Sequence, residues 1–173
     1  MFTWMNKKSP LTILKFLIEA DKDVHMREVS RKTGLSLGFT SRVLNELSKN
    51  GLICCNKKGR MKFYRIDSGN PVIKQLKILF TTSSLMPLVK KLGDSARRVI
   101  LFGSSAKGED TSESDIDLLV ITNDATRVRK ILAKNTRIVP IVMNSIEFSS
   151  LKKKDPSLFE QITRGIVLWE KNE

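Results

Sequence analysis

The stretch that most constrains the fold of this chain is residues 101–120, which read LFGSSAKGEDTSESDIDLLV. An apolar run stops at Gly103, a small polar segment follows, and Asp115 and Asp117 stand at the head of a second apolar run. Because alternate residues of a strand point to one face, the two carboxylates are predicted to project side by side. Paired carboxylates suit Mg²⁺, which takes its remaining ligands from water and substrate phosphates. Backbone N–H groups of a Gly-Ser turn can hold those phosphates.

This stretch resembles the signature of the DNA polymerase beta-like nucleotidyltransferase superfamily, in which a Gly-Ser pair and a short basic loop precede Ser-Asp-x-Asp-Leu on a strand. The matching positions are Gly103, Ser104, Ala106, Lys107, Gly108, Ser114, Asp115, Asp117 and Leu118. The resemblance implies that Asp115 and Asp117 are catalytic and hold the cofactor Mg²⁺. It also implies nucleotide binding by Gly103, Ser104, Lys107 and Ser114, although Ser105 and Ser114 are expected mainly to shape the loop. Lys107 stands where the superfamily more often has arginine, so a bidentate contact is lost.

The chain departs from this pattern at a third acidic position. The superfamily usually supplies a third carboxylate from the neighbouring strand, but residues 137–143, RIVPIVM, contain no acid. Pro140 stands about where the acid is expected, and a proline inside a strand indicates an edge or a bulge. Glu147 and Asp155 lie outside that strand and are not expected to replace it. Nucleotide binding is therefore better supported than turnover.

The N-terminal part is predicted to form three helices and a hairpin. Pro10 suits the first position of a helix, which is predicted from Ser9-Pro10 to Ala20. A second helix is predicted at 26–32, and the cap residue Ser36 starts a third at 36–49. Strands are predicted to follow at 52–55 and 61–66. This order resembles winged-helix DNA-binding domains, which implies a third helix in a major groove and a basic hairpin turn on phosphates. The residues expected to contact nucleic acid are Ser41, Arg42, Asn45, Lys57, Lys58 and Arg60. The alternative is a protein-contact or dimerisation module.

The charge of the chain supports a polyanionic partner. The formal net charge of the chain is +13. Residues 1–70 hold 14 basic and 6 acidic side chains, which gives them a net charge of +8 and leaves +5 for the remaining residues. The single histidine, His25, is expected to be a surface or capping residue. The two cysteines, Cys54 and Cys55, are adjacent, so that pair alone makes neither a disulfide framework nor a zinc site. With one histidine and no paired cysteines, nothing supports a zinc hydrolase or a histidine-based triad. No apolar run approaches the length of a membrane span, which predicts a cytoplasmic protein without a membrane partner.

The predicted architecture is a two-domain α/β (α+β) chain. Residues 1–68 are assigned to a winged helix-turn-helix domain, 69–93 to a helical linker and 94–173 to a minimal nucleotidyltransferase domain. In the linker, the polar run 81–84 is expected to separate two helices. Beyond it, strands at 99–102, 116–121, 137–143 and 166–169 alternate with helices at 125–134, 145–151 and 157–164. That alternation predicts a small mixed sheet with helices against it.

Two functions are compatible with these features. The first is a Mg²⁺-dependent nucleotidyltransferase of archaeal or bacterial type that moves NMP from an NTP to a hydroxyl of a protein, RNA or small molecule, with double-stranded DNA bound by the winged helix. By resemblance to minimal members of the superfamily, it would act like an antitoxin on a toxin-like protein partner, and a homodimer is expected by analogy. The alternative is a DNA-binding transcriptional regulator whose degenerate nucleotidyltransferase domain senses nucleotide or holds a partner.

Overall fold

The structure of the protein is a computed structural model that describes residues 10–171. The chain divides into two compact units, residues 1–77 and 78–173, at a point inside the segment predicted as a linker. Ser9, which was expected to start the first helix, lies outside the described residues.

The first unit is built from three helices and a three-stranded antiparallel sheet. Its elements are α1 (Pro10–Ala20), β1 (Val24–His25), α2 (Met26–Thr33), α3 (Leu37–Lys49), β2 (Ile53–Lys58) and β3 (Met61–Ile66), and the strand order is β1-β3-β2. Gly34 ends α2 with a φ of 68°, and the Ser36 hydroxyl then caps α3 by accepting a hydrogen bond from the Phe39 amide. The two helices are therefore joined by a tight turn, as predicted.

Two details of this unit differ from the sequence-based expectation. The short strand β1 was not predicted, and its residue His25 also caps α2, because Nδ1 accepts a hydrogen bond from the Arg27 amide at 3.2 Å. The capping role predicted for His25 is thus confirmed. The hairpin is also longer than predicted, since β2 continues through Lys58 and leaves only Gly59 and Arg60 in the turn. Gly59 has a φ of 61°, which suits a two-residue hairpin turn.

A single helix, α4 (Pro71–Leu92), replaces the two helices expected in the linker. Asn70 caps it by accepting a hydrogen bond from the Val72 amide at 2.8 Å. The predicted break at 81–84 is wrong, because α4 continues through these residues without interruption. The Ser84 hydroxyl is satisfied inside the helix, where it donates a hydrogen bond to the Thr81 carbonyl at 2.7 Å. Among the described helices, α4 included, none is long and apolar enough to cross a bilayer.

The second unit is a mixed sheet with helices on both faces. Its remaining elements are β4 (Ala96–Phe102), α5 (Gly103–Lys107), β5 (Ile116–Thr122), α6 (Ala125–Leu132), β6 (Ile138–Met143), α7 (Ser145–Lys154), α8 (Pro156–Thr163) and β7 (Ile166–Glu170). The strand order is β6-β5-β4-β7, and only the β5–β6 pair is parallel. The predicted mixed sheet is therefore confirmed. Its central strands are apolar on both faces because each face carries a core.

Pro140 lies in β6, which is an edge strand as its proline predicts. The Arg137 carbonyl accepts a hydrogen bond from the Ile116 amide of β5 at 2.8 Å. Arg137 therefore directs its backbone polar groups toward β5. Backbone polar groups alternate in direction along a strand, so Pro140 directs its nitrogen away from β5. The missing N–H of Pro140 therefore costs the sheet no ladder hydrogen bond.

Candidate functional site

The Gly-Ser turn and the aspartate pair meet at the junction of β4 and β5. Gly103 follows β4 directly with a φ of 72°, and the antiparallel register pairs Phe102 with Asp117. A Cβ atom at position 103 would lie 2.1 Å from Asp117 Oδ2, far inside the 3.0 Å below which real Cβ contacts essentially never fall. Any side chain at this position would displace the Asp117 carboxylate and strain the backbone, whereas glycine lets the turn touch the carboxylate.

Asp115 and Asp117 form the electrostatic centre of this junction. Burial raises the pKa of the Asp117 carboxyl above its ordinary value, and the negative charge of Asp115 raises that pKa further. Asp115 itself is exposed. Two carboxylates that repel each other gain from a cation that both can contact. Their hard oxygen atoms suit Mg²⁺, and a pair of carboxylates leaves coordination positions for water and phosphate oxygens.

The remaining residues of the predicted nucleotide site divide into two groups. Ser104 and Lys107 lie with Gly103 in the short helix α5, and Lys107 is exposed. Ser114, in contrast, uses its hydroxyl inside the preceding loop, where it accepts a hydrogen bond from the Thr111 amide at 2.9 Å and lies 3.0 Å from the Thr111 hydroxyl. Ser105 is only 2% exposed. The structure thus groups Ser104 and Lys107 with the turn and gives Ser114 a loop-shaping contact.

The residue beside Asp117 on β6 is Val139 rather than Pro140. The parallel register pairs Asp117 with Val139 and Leu118 with Pro140. Because paired residues of neighbouring strands share a face, Val139 occupies the position expected of a third carboxylate, and Pro140 lies on the opposite face. The sequence-based placement at Pro140 was therefore wrong by one residue. Val139 is 46% exposed.

Neither of the two nearby acids takes the place of a third carboxylate. Glu147 belongs to a capping box at the start of α7, where its Oε2 accepts a hydrogen bond from the Asn144 amide at 2.7 Å. Asp155 caps α8 by accepting a hydrogen bond from the Leu158 amide at 2.9 Å. Within residues 10–171, no group of three His, Cys, Asp or Glu side chains is arranged to hold a metal ion.

Arg137 is a residue of the site that the sequence did not single out. Its Nη2 donates a hydrogen bond to the Ser114 carbonyl at 3.2 Å. Since Ile116 pairs with Ile138, the register also places Arg137 beside Asp115. Its position just before a predicted strand was visible in the sequence, but the strand register was not. The site therefore carries a cation on its β6 side.

The predicted recognition residues of α3 lie on one exposed face of the helix. Ser41, Arg42 and Asn45 line a shallow cavity of about 560 Å³, together with Gly38, Glu46 and Lys49. The Arg42 guanidinium lies 5.4 Å from the centroid of the Phe39 ring. The opposite face of α3 buries Thr40, Val43, Leu44 and Leu47, as its periodicity predicts.

The three predicted wing residues differ in their surroundings. Lys58 Nζ lies 3.2 Å from Asp23 Oδ2 and 5.3 Å from the centroid of the Phe63 ring, so its charge is partly compensated. Lys57 pairs across the hairpin with another lysine, Lys62, which leaves two like charges side by side. Arg60 lies in the turn and is exposed. The positive surface of the wing therefore rests mainly on Lys57, Arg60 and Lys62.

Comparisons with known proteins agree with this division of the chain. Residues 87–173 match the family described as Polymerase beta, Nucleotidyltransferase, and residues 11–53 match the IclR helix-turn-helix domain. No curated protein matches the chain. Two solved structures are similar. AF1382 from Archaeoglobus fulgidus is 20% identical, with a TM-score of 0.38 over 43% of this chain and 87% of that chain. A protein from Sulfolobus solfataricus assigned as a nucleotidyltransferase is 15% identical, with a TM-score of 0.41 over 60% of this chain and 92% of that chain. With half of its length matched, the chain belongs to the polymerase beta nucleotidyltransferase family, and it joins that domain to a helix-turn-helix domain.

Proposed function

We propose that the protein is a Mg²⁺-dependent nucleotidyltransferase that moves NMP from an NTP to a hydroxyl of a protein, RNA or small molecule. The observation that carries this proposal is the contact between Gly103 and the Asp117 carboxylate, which leaves no room for a Cβ atom at position 103. A turn that can hold phosphates and a carboxylate that can hold a metal are thereby brought within one contact of each other. This is the spacing that a metal-bound nucleotide needs.

Each residue of the site has a role in this proposal. Asp115 and Asp117 would hold Mg²⁺, which when bound neutralises charge on the nucleotide phosphates and on the leaving pyrophosphate. The Gly103 amide and the Ser104 hydroxyl would bind the terminal phosphates, and Lys107 would add a cation to them. Arg137, beside Asp115, would attract a further negatively charged group of the nucleotide or the acceptor.

The first unit would bring this site to double-stranded DNA. Ser41, Arg42 and Asn45 share the exposed face of α3 and can reach base edges, while Lys57, Lys58 and Arg60 belong to the wing and can reach phosphates. We place the protein in the cytoplasm, with an antitoxin-like role toward a toxin-like protein partner and with a homodimer as the DNA-binding form.

The test is calorimetric titration of ATP and the other NTPs into the full-length protein, with and without Mg²⁺. Wild type is expected to bind nucleotide only with Mg²⁺, and Asp117→Asn is expected to lose that binding because one metal ligand loses its charge. A subsequent assay with α-labelled NTP would then identify the acceptor. The absence of any Mg²⁺-dependent binding by wild type would refute the proposed enzyme.

A second candidate is a DNA-binding transcriptional regulator whose nucleotidyltransferase domain binds nucleotide, or a partner, without turnover. The observation that favours it is Val139, an aliphatic residue where a third carboxylate would stand beside Asp117. Without that acid the site has one metal ligand fewer, and no further carboxylate to accept the proton of an attacking hydroxyl. Mg²⁺-dependent nucleotide binding, with no label transferred to any component of a cell extract, would favour this candidate over the enzyme.

A further inference from the structure

A second concave surface lies at the end of the second-unit sheet that is remote from Asp117. It consists of two cavities of about 630 and 900 Å³, which have Arg97, Asn123 and Ser145 in common and so form one continuous groove. Thr122, at the far end of β5, lines the smaller cavity. It is five residues from Asp117, roughly 17 Å along the strand at about 3.3 Å per residue. The groove is therefore distinct from the aspartate pair.

Three arginines lie along this groove, and we call it the arginine groove. Arg97 borders both cavities, Arg129 borders the smaller one and Arg127 borders the larger one. All three side chains are exposed. Neighbouring Arg98, by comparison, is paired with Glu170. Within the part of the chain that the structure describes, Arg97, Arg127 and Arg129 have no ion-pair partner.

The acidic side chains of the groove keep their negative charges but are engaged by other partners. Asp124 and Glu147 accept hydrogen bonds from backbone amides, at 3.0 Å from Arg127 N and 2.7 Å from Asn144 N respectively. Their carboxylates are thus held at helix starts, and Glu170 is held by its ion pair. Asp94 is the remaining acid at the rim of the larger cavity. The lining holds five basic and four acidic side chains, so its net charge is only slightly positive. The groups free to bind an anion are the guanidinium groups of Arg97, Arg127 and Arg129, which no ion pair among the described residues engages.

The shape and the lining of the groove indicate the class of that anion. Planar guanidinium groups bind phosphate oxygens in a bidentate manner, and a row of them fits a chain of phosphates better than a single ion. Phe148, which lines the larger cavity, packs with Phe159 against the core below, so the groove has a firm floor. Cations that follow a backbone are typical of sites for single strands. We propose that the arginine groove binds a single-stranded nucleic acid, mainly through its phosphates.

The test compares two doubly substituted full-length proteins that lose the same charge. Arg97→Gln with Arg129→Gln removes two groove cations, and Lys130→Gln with Lys153→Gln removes two exposed cations of α6 and α7 that do not line the groove. Binding of fluorescein-labelled 12-nucleotide oligo-dT and oligo-U is followed by anisotropy from 50 to 300 mM salt. Comparison of the two affinities shows whether the groove prefers DNA or RNA, since the preferred strand binds more tightly. Thermal unfolding of each variant checks the fold, and the single change Arg129→Glu provides a second groove variant.

The groove variant is expected to lose two phosphate contacts. At about 0.7 per contact for single strands, the slope of log K against log salt should fall by roughly 1.4, and affinity at 0.1 M salt should fall roughly 25-fold. The lysine control should keep the wild-type slope within error. Equal losses in both double variants, or no binding by wild type, would overturn the proposal. Titration of Mg²⁺ and ATP into the groove variant should match wild type, so failure here is separate from failure of the nucleotidyltransferase proposal.

Discussion

Gly103 limits the site at the scale of a single residue. Its φ of 72° lies in the left-handed region, and its Cα faces the Asp117 carboxylate without room for a methyl group. Any side chain at this position therefore lowers the stability of the fold for two separate reasons. The backbone penalty is about 1–2 kcal/mol, while the steric penalty falls on the group that is proposed to hold the metal.

Gly103→Ala is expected to lose Mg²⁺-dependent nucleotide binding and to destabilise the fold by more than the backbone penalty alone. Gly51→Ala is the matched control, because Gly51 has a φ of 68° and its Cβ would meet nothing within 4 Å. It should lose about 1–2 kcal/mol of unfolding free energy and keep nucleotide binding. Denaturant unfolding and calorimetry of both variants measure these effects. Nucleotide binding retained by Gly103→Ala would contradict the proposed geometry.

Asp117 gives the second residue-scale prediction, which concerns pH. Burial and the charge of Asp115 raise the pKa of the Asp117 carboxyl, so the folded protein holds this proton more tightly than the unfolded chain does. This group therefore lowers the free energy of unfolding as pH rises through the interval between the unfolded and folded pKa values. Without metal, Asp117→Asn should be more stable than wild type at pH 7.5, and the difference should shrink toward pH 4. Urea unfolding at both pH values measures it, and a less stable variant at pH 7.5 would contradict it.

At the scale of elements, α3 has a buried face and an exposed polar face with separate functions. Arg42→Ala changes only the exposed face, so it is expected to weaken duplex DNA binding by roughly tenfold or more, within the range of a lost base contact. Nucleotide binding should remain unchanged. Lys15→Ala on α1, where Lys15 lies 3.9 Å from Glu19, provides a charge-matched control that should retain DNA binding. Gel-shift and nucleotide titrations that fall together in Arg42→Ala would contradict two separate binding units.

The register of β6 against β5 yields a prediction with a neighbouring-residue control. Val139→Asp places a third carboxylate on the face of Asp117, so Mg²⁺ should bind more tightly than in wild type, and the metal-free protein should lose stability through repulsion. Pro140→Asp places the same group on the opposite face and should leave Mg²⁺ affinity unchanged. Calorimetric Mg²⁺ titration of both variants measures the difference. Tighter binding in Pro140→Asp would mean that the register is displaced by one residue.

These elements also indicate what the sequence could and could not predict. The caps His25 and Ser36 act through local hydrogen bonds, so nearby residues suffice to predict them. β1 was not predicted because its two residues form a strand only through pairing with β3, which is distant in the sequence. The position beside Asp117 and the contact of Arg137 with Ser114 depend on strand register, which is fixed by the packing of the whole sheet. Local chemistry was therefore predictable, and alignment between strands was not.

At the scale of the whole molecule, each of the two units has its own core. Separate cores lead us to expect separate responses to ligands. Mg²⁺ with ATP should slow amide hydrogen exchange around residues 96–120, and duplex DNA should slow it around residues 37–66. A ligand at 100 times its Kd stabilises the state that binds it by about 2.7 kcal/mol. Exchange mass spectrometry measures both patterns, and equal protection of both units by either ligand would contradict the expectation.

Pro140 has a consequence for the behaviour of the protein in concentrated solution. An edge strand with free N–H groups is a template on which another chain can add a strand, and this is a common start of aggregation. Because Pro140 offers no N–H on the open side of β6, that edge is interrupted at its centre. Any self-association of the protein is therefore expected to use surfaces other than the open edge of β6.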